Sequence, residues 1–397
     1  MGTPVIRKLF LTFCALALTV STGAFSAEPT NNEPATTEPI KIGTTQSLTG
    51  HYKDFGTEQL RGLQMWVADV NSRGSLLGRT VELVHYDDGS RDARSVEGFT
   101  KLIEQDKADF LVGPYSSSLT LKASQVAEQY NIPMVATAAS AESIWNRGLK
   151  NIFGTDTPAG SYTKGISVGR DAGARTMALI YAKTEFGKEV AEGIRSSTAA
   201  TEMRIVLDEG YAPEQLDFTA LVGRLAKVDA DVVLGISYMD DSVAIVRALK
   251  KANVKPRMLA FTVGPALAEF GEQLGADADG VVGVVQWLRS VPLPGAQDFA
   301  YRYRQRYGYN PGVHAVIGYS AGQVLETAVR LAGTTDHDAV REQLRTMYFR
   351  SLLGKYNVSE TGRQEGKRNY ILQWQDGSRH LITPENLADR ELIYPRP

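Results

Sequence analysis

Ser320 stands in Gly318-Tyr319-Ser320-Ala321-Gly322, the G-x-S-x-G spacing by which a hydrolase exposes a nucleophilic hydroxyl on a sharp strand-to-helix turn. Asp336 or Asp338, followed by His380, keeps the chain order serine, acid, histidine, so a serine hydrolase using Ser320 is one reading. The plainer one makes residues 313–331 a single helix with Val316, Tyr319, Val324 and Ala328 along its buried side and Ser320 merely small. Pro311-Gly312 reads as a helix start, and no strong strand precedes the motif. Other chemistry lacks a constellation. There is no phosphate-cradling G-x-x-x-x-G-K-S/T and no H-E-x-x-H. The 5 histidines are scattered without cysteine partners, so no metal or other cofactor is expected. Asp87-Asp88 and Asp240-Asp241 read as solvated turns or helix caps.

Binding fits the residues better than catalysis. The apolar run Phe110–Val112 is followed by Gly113-Pro114-Tyr115-Ser116-Ser117-Ser118, which opens a helix. Free N–H groups at such a helix start, with serine hydroxyls beside them, suit an anion such as a carboxylate. The next run, Pro133–Ala136, ends in Thr137-Ala138-Ala139-Ser140, residues small enough for a ligand to reach the main chain.

The elements that position these loops alternate. Strands are predicted at Ile40–Thr45, Val81–His85, Phe110–Val112 and Pro133–Ala136, with helices at Glu58–Arg73, Ser95–Lys107 and Leu119–Tyr130 between them. After Asn151 the rhythm restarts, with strands at 176–181, 203–208, 231–236, 258–260 and 281–285 and helices at 186–199, 218–225, 242–251 and 265–274. Short connections with returning helices predict parallel strands, hence an α/β fold of two doubly wound lobes with a cleft between them. The last third breaks the alternation: helices at 299–307, 313–331 and 338–347, then a hairpin turning at Asp376-Gly377. Crossovers between lobes are expected near Gly154–Gly160, Gln286–Pro294 and Thr361–Lys367, where Gly, Pro and polar residues cluster. The first lobe is then 40–155 with 289–363, and the second 156–288 with 364–397.

Length and composition agree. The 397 residues suit two domains, and 43% hydrophobic with 22% charged residues is an ordinary globular mixture. A formal charge of -2 gives nucleic acid no electrostatic hold. Residues 1–26 read as a signal peptide: Arg7 and Lys8, an apolar run from Leu9 to Val20, then small residues suited to cleavage after Ser26. That run is shorter than the roughly 20 residues a membrane span needs. Residues 27–39 read as a flexible leader. The single cysteine, Cys14, would leave with the signal, so the expected product is an exported, periplasmic, disulfide-free monomer.

Six stretches, in order, resemble the leucine/isoleucine/valine-binding family of periplasmic solute-binding proteins of ABC transporters. They are Ile42–Gly56 (IGTTQSLTGHYKDFG), Val70–Arg79 (VNSRGSLLGR), Val81–Asp88 (VELVHYDD), Val112–Thr120 (VGPYSSSLT), Ile132–Ser140 (IPMVATAAS) and Phe186–Gly193 (FGKEVAEG). The resemblance implies the type I periplasmic binding fold, two lobes joined by three crossovers, a small-molecule ligand such as an amino acid or other small carboxylate, and ABC permease subunits as partners. A ligand-sensing receptor of the same fold is the alternative. It further implies that Ser117, Ser140 and the main chain at Ala138 hold the ligand carboxylate, and that Phe55 lies over the ligand side chain. Phe186 and Tyr238 would add aromatic contacts from the second lobe, and Tyr115 would add apolar surface. Positions matching the disulfide of the branched-chain binders are Ser90 and Ser116. The acid that holds an ammonium group in those binders corresponds here to Thr262, which carries no charge. Asp240 or Asp241, just past Tyr238, is the expected substitute if the ligand carries an ammonium group.

Overall fold

The computed structural model describes residues 1–2 and 38–397. The segments read as signal peptide and leader, with Arg7, Lys8 and Cys14, lie outside the described residues apart from their ends. Strands β1 (Ile40–Gln46), β2 (Val81–Asp87), β3 (Phe110–Val112), β4 (Met134–Ala136) and β5 (Ile152–Gly154) form one sheet in the order β2-β1-β3-β4-β5, all parallel. Helices α1 (Lys53–Ser72), α2 (Asp92–Glu104) and α3 (Ser117–Gln129) make the returns. β3, β4 and β5 are buried throughout, as parallel strands covered on both faces must be.

After α4 (Lys164–Asp171) a second sheet is built from β6 (Thr176–Ala182), β7 (Arg204–Tyr211), β8 (Val232–Ile236), β9 (Met258–Phe261) and β10 (Val281–Val285). Its returns are α5 (Glu185–Ala199), α6 (Thr219–Val228), α7 (Met239–Lys251) and α8 (Ala268–Leu274). The chain then forms α9 (Ala296–Tyr307), α10 (Val313–Ala332), α11 (His337–Thr346) and a small hairpin, β11 (Phe349–Ser351) with β12 (Gly354–Tyr356). The final hairpin, β13 (Tyr370–Gln375) with β14 (Ser378–Thr383), adds antiparallel to β10 and gives the order β14-β13-β10-β9-β8-β6-β7. Its turn holds Asp376 at φ 52° and Gly377 at φ 71°, two left-handed residues in succession that suit a tight hairpin.

The chain passes between the sheets from β5 to β6, from β10 to α9, and from β12 to β13. α9 and α10 return to the first lobe. Arg302 pairs with Asp69 of α1 at 2.7 Å, and the Trp66 indole donates to Glu326 at 3.1 Å. Trp66 is fully buried in this seam; a ring of that size removes roughly 150–250 Å² from water, about 4–6 kcal/mol before entropy is charged.

Differences from the sequence reading are local. β5, β11 and β12, three residues each, are strands that the sequence reading does not contain. Residues 265–274 do not make one helix: Gly264–Ala266 is a 3₁₀ turn, and Leu267, extended at ψ 146°, breaks it from α8. α1 begins at Lys53, five residues before the expected Glu58.

Candidate functional site

The carboxyl ends of the two sheets face each other across a partly open cavity. In a sheet of order 2-1-3-4-5 the loops at the β1/β3 switch point are where ligands sit. Here the loop after β3 delivers Tyr115, Ser116 and Ser117 to the cavity wall, and the loop after β4 delivers Ala138 and Ser140. Ser116 caps α3, its Oγ accepting from the Leu119 N–H at 3.3 Å. It does so at φ 82°, ψ 151°, a region costing a side-chain-bearing residue of order 1–3 kcal/mol. Ser117 is more than a cap. Its Oγ accepts from the N–H groups of Ser140 and Ala141, both at 3.1 Å, so one hydroxyl joins the two cavity-facing loops.

The opposite wall is made of rings. Phe186 opens α5 behind the cap Thr184, and Tyr162 meets it edge-on at 5.1 Å. Tyr238 precedes α7, and its hydroxyl lies 3.3 Å from Thr184 Oγ1; burial pushes the phenol up to about 12. Thr262, after β9, turns its Oγ1 back on β8, donating to the Ser237 carbonyl and accepting from the Ser237 N–H, each at 3.2 Å. The lobes meet above the cavity where the Tyr52 and Tyr238 ring centres come within 5.2 Å.

Three polar residues that sequence reasoning did not single out complete the lining: Asp156, Gln286 and His314. Asp156 accepts from the Thr157 N–H at 2.7 Å, from Ser140 Oγ at 3.1 Å, and from the Gln286 amide. Burial raises its carboxyl above the usual range, with the Gln286 hydrogen bond the first of several effects opposing it. Lys367, whose Nζ donates to the Thr155 carbonyl, is lowered by burial and supported by Asp156. His314, buried in α10, is pushed down to about 3 by desolvation and is therefore neutral. The available signal was topological: Asp156 and Gln286 fall in stretches read as crossovers, and crossovers in a two-lobed fold border the cleft.

Of the nine residues expected in the site, Tyr115, Ser117, Ala138, Ser140, Phe186, Tyr238 and Thr262 line the cavity. Phe55 and Asp241 do not. Phe55 lies behind the wall, stacked on Tyr115 at 4.9 Å and 12° and packed on His314, so it backs the ring that faces the cavity. Asp241, buried, accepts from the Tyr211 hydroxyl at 2.7 Å, and Asp240 is exposed in a groove between α6 and α7. Neither aspartate replaces an acid at Thr262. Ser320 is also corrected: it is buried in mid-helix on α10, not on a strand-to-helix turn. The glycines of its motif serve packing, since a Cβ at Gly318 would strike the Gln59 carbonyl and one at Gly322 the Trp66 ring.

Residues 39–379 match the family model for periplasmic binding proteins. The chain belongs to that family. Within it, the binding protein has the type I, two-lobed fold, and the resemblance to the leucine/isoleucine/valine-binding branch holds across nearly the whole chain. It is 27% identical over 374 residues to the Leu/Ile/Val-binding protein homolog 8 of Brucella abortus, covering 88% of this chain and 91% of that one. Structurally it resembles LivJ of Streptococcus pneumoniae in complex with isoleucine (TM-score 0.80, 22% identity, 87% of this chain and 100% of that one). It equally resembles a solute-binding protein of R. palustris in complex with benzoate (TM-score 0.77, 23% identity, 90% and 97%). At these identities the structures speak for the fold of the binding protein. No helix among the described residues is long and apolar enough to cross a membrane.

Proposed function

We propose that this chain is the exported, periplasmic solute-binding subunit of an ABC importer, capturing a small carboxylate by closure of its lobes and delivering it to permease subunits. One observation carries the reading: a wall of main-chain and serine groups at the ends of β3 and β4 faces a wall of rings from the other lobe across one cavity. The α3 N-terminus, Ser117 and the loop at Ala138 and Ser140 receive the carboxylate, and Phe186, Tyr238 and Tyr115 enclose an apolar or aromatic body. Isoleucine and benzoate, the ligands of two structural neighbours, share that carboxylate and differ in the rest. Tyr162 and Gln286, beside the crossovers, touch the same cavity, so ligand contact and hinge rotation involve neighbouring residues.

A thermal-unfolding screen of amino acids, amides and aromatic acids tests this. A true ligand at a hundred times its dissociation constant adds about 2.7 kcal/mol to stability. A stabilising carboxylate, confirmed by calorimetry, supports the reading. Stabilisation by uncharged solutes alone would contradict it.

A further inference from the structure

Asp156 is the one carboxylate among the described residues that line the cavity, and no lysine or arginine lines it. A simple monoanion would bring a second negative charge into the cavity beside this acid. Lys367 stands close enough to act on Asp156, but from outside the lining, with its Nζ on the Thr155 carbonyl. A carboxylate has about four lone-pair positions. Those of Asp156 receive three donors, two on Oδ1 from Thr157 and Gln286 and one on Oδ2 from Ser140. Gln286 spends its amide N–H groups on Asp156 and Tyr162, leaving its Oε1 buried with no partner. Only 7% of the Gln286 surface is exposed, so this orphan acceptor has no bulk water to satisfy it. Two acceptors therefore stand side by side on the cavity wall, short of donors, next to the serine expected to meet the ligand carboxylate.

From this, and resting on the carboxylate reading above, we propose that Asp156 and Gln286 form the subsite for a primary ammonium group of the ligand, doing at the crossovers what the neutral Thr262 cannot do at the end of β9. An ammonium group has three N–H donors. One to Asp156 Oδ2 and one to Gln286 Oε1 use two of them, and the Ser140 hydroxyl is left to turn from Asp156 to the ligand carboxylate. The ligand then enters as a zwitterion, its positive end on Asp156 and its negative end on the α3 N-terminus.

The test compares ligands that differ only in the α-ammonium: each common L-amino acid against its deaminated acid, first by thermal unfolding and then, for the tightest pair, by calorimetric titration of wild type and Asp156→Asn. The expected result is at least tenfold tighter binding of the amino acid in wild type, with that ratio falling at least fivefold in the variant. If Asp156→Asn does not fold, Gln286→Met removes the second acceptor and must lower the same ratio. A deaminated acid that binds as tightly as its amino acid, or a ratio unchanged in a folded variant, overturns the proposal and leaves the carboxylate reading standing. Failure of every carboxylate in both sets overturns both.

Discussion

The two lobes share a strand order and differ in what they place on it. β2-β1-β3-β4-β5 in the first lobe corresponds to β7-β6-β8-β9-β10 in the second, and equivalent loops reach the cavity from both sides. The loop after β3 brings Ser116 and Ser117, whereas the loop after β8 brings Tyr238. After β4 comes Ser140, after β9 Thr262; α1 carries Phe55 and α5 carries Phe186. One topology thus offers the same loop positions twice. Polar groups are concentrated on one wall to fix orientation, and rings on the other to enclose the ligand body. On the proposed reading, a site built this way can change its cargo by altering one wall while the other keeps hold of the carboxylate.

Blocking the shared space should have the largest effect. Ala138→Trp puts an indole where the walls face each other, and affinity should fall by at least about a hundredfold, since a close-packed site has no room to give. Calorimetry reads the loss, and a cooperative melt verifies the fold. Removing the polar anchor comes next. Ser117→Ala deletes the hydroxyl that joins the loops and should weaken a carboxylate ligand roughly ten- to a hundredfold, the worth of about 1.5–3 kcal/mol. An unchanged affinity would reduce Ser117 to structural support. On the ring wall, Tyr238→Phe keeps the surface and loses the hydroxyl near Thr184, so only a several-fold loss is expected, about 1 kcal/mol.

The remaining effect is on stability rather than affinity and comes from His314. Its folded-state value of about 3 lies below the ordinary 6.5, so below pH 6.5 the unfolded chain binds a proton that the folded one does not. The stabilisation is complete above pH 6.5 and is lost as pH falls toward 3, at about 1.4 kcal/mol per pH unit. His314→Leu should therefore flatten the decline of unfolding free energy between pH 6 and 4 by about one proton, measured in urea. Equal slopes in the two proteins would contradict a neutral, buried imidazole.

What the sequence made legible was whatever repeats or ends a repeat. Helical and strand periods located both sheets, strand ends followed by small residues pointed to the loops that carry Tyr115, Ser117, Ala138 and Ser140, and the family resemblance added Phe186, Tyr238 and Thr262. The repeat of the lobes showed as a strand–helix rhythm that restarts after Asn151, but not as a strand order, which is fixed by packing rather than by residue identity. Asp156, Gln286 and Lys367 are single polar residues far apart in the chain, and only the crossovers bring them together. Phe55 and Asp241 show the opposite error: position in a motif puts a residue near a site, but Tyr115 in front of one and Tyr211 bonded to the other decide whether it faces the ligand.

Small-angle X-ray scattering of the protein alone and with a saturating, calorimetrically confirmed ligand is the most direct measurement of the account's central claim, capture between closing lobes. The account predicts a smaller radius of gyration with ligand, fitted by rotating two unchanged lobes about the crossovers. The same radius in both states, at full occupancy, would contradict it.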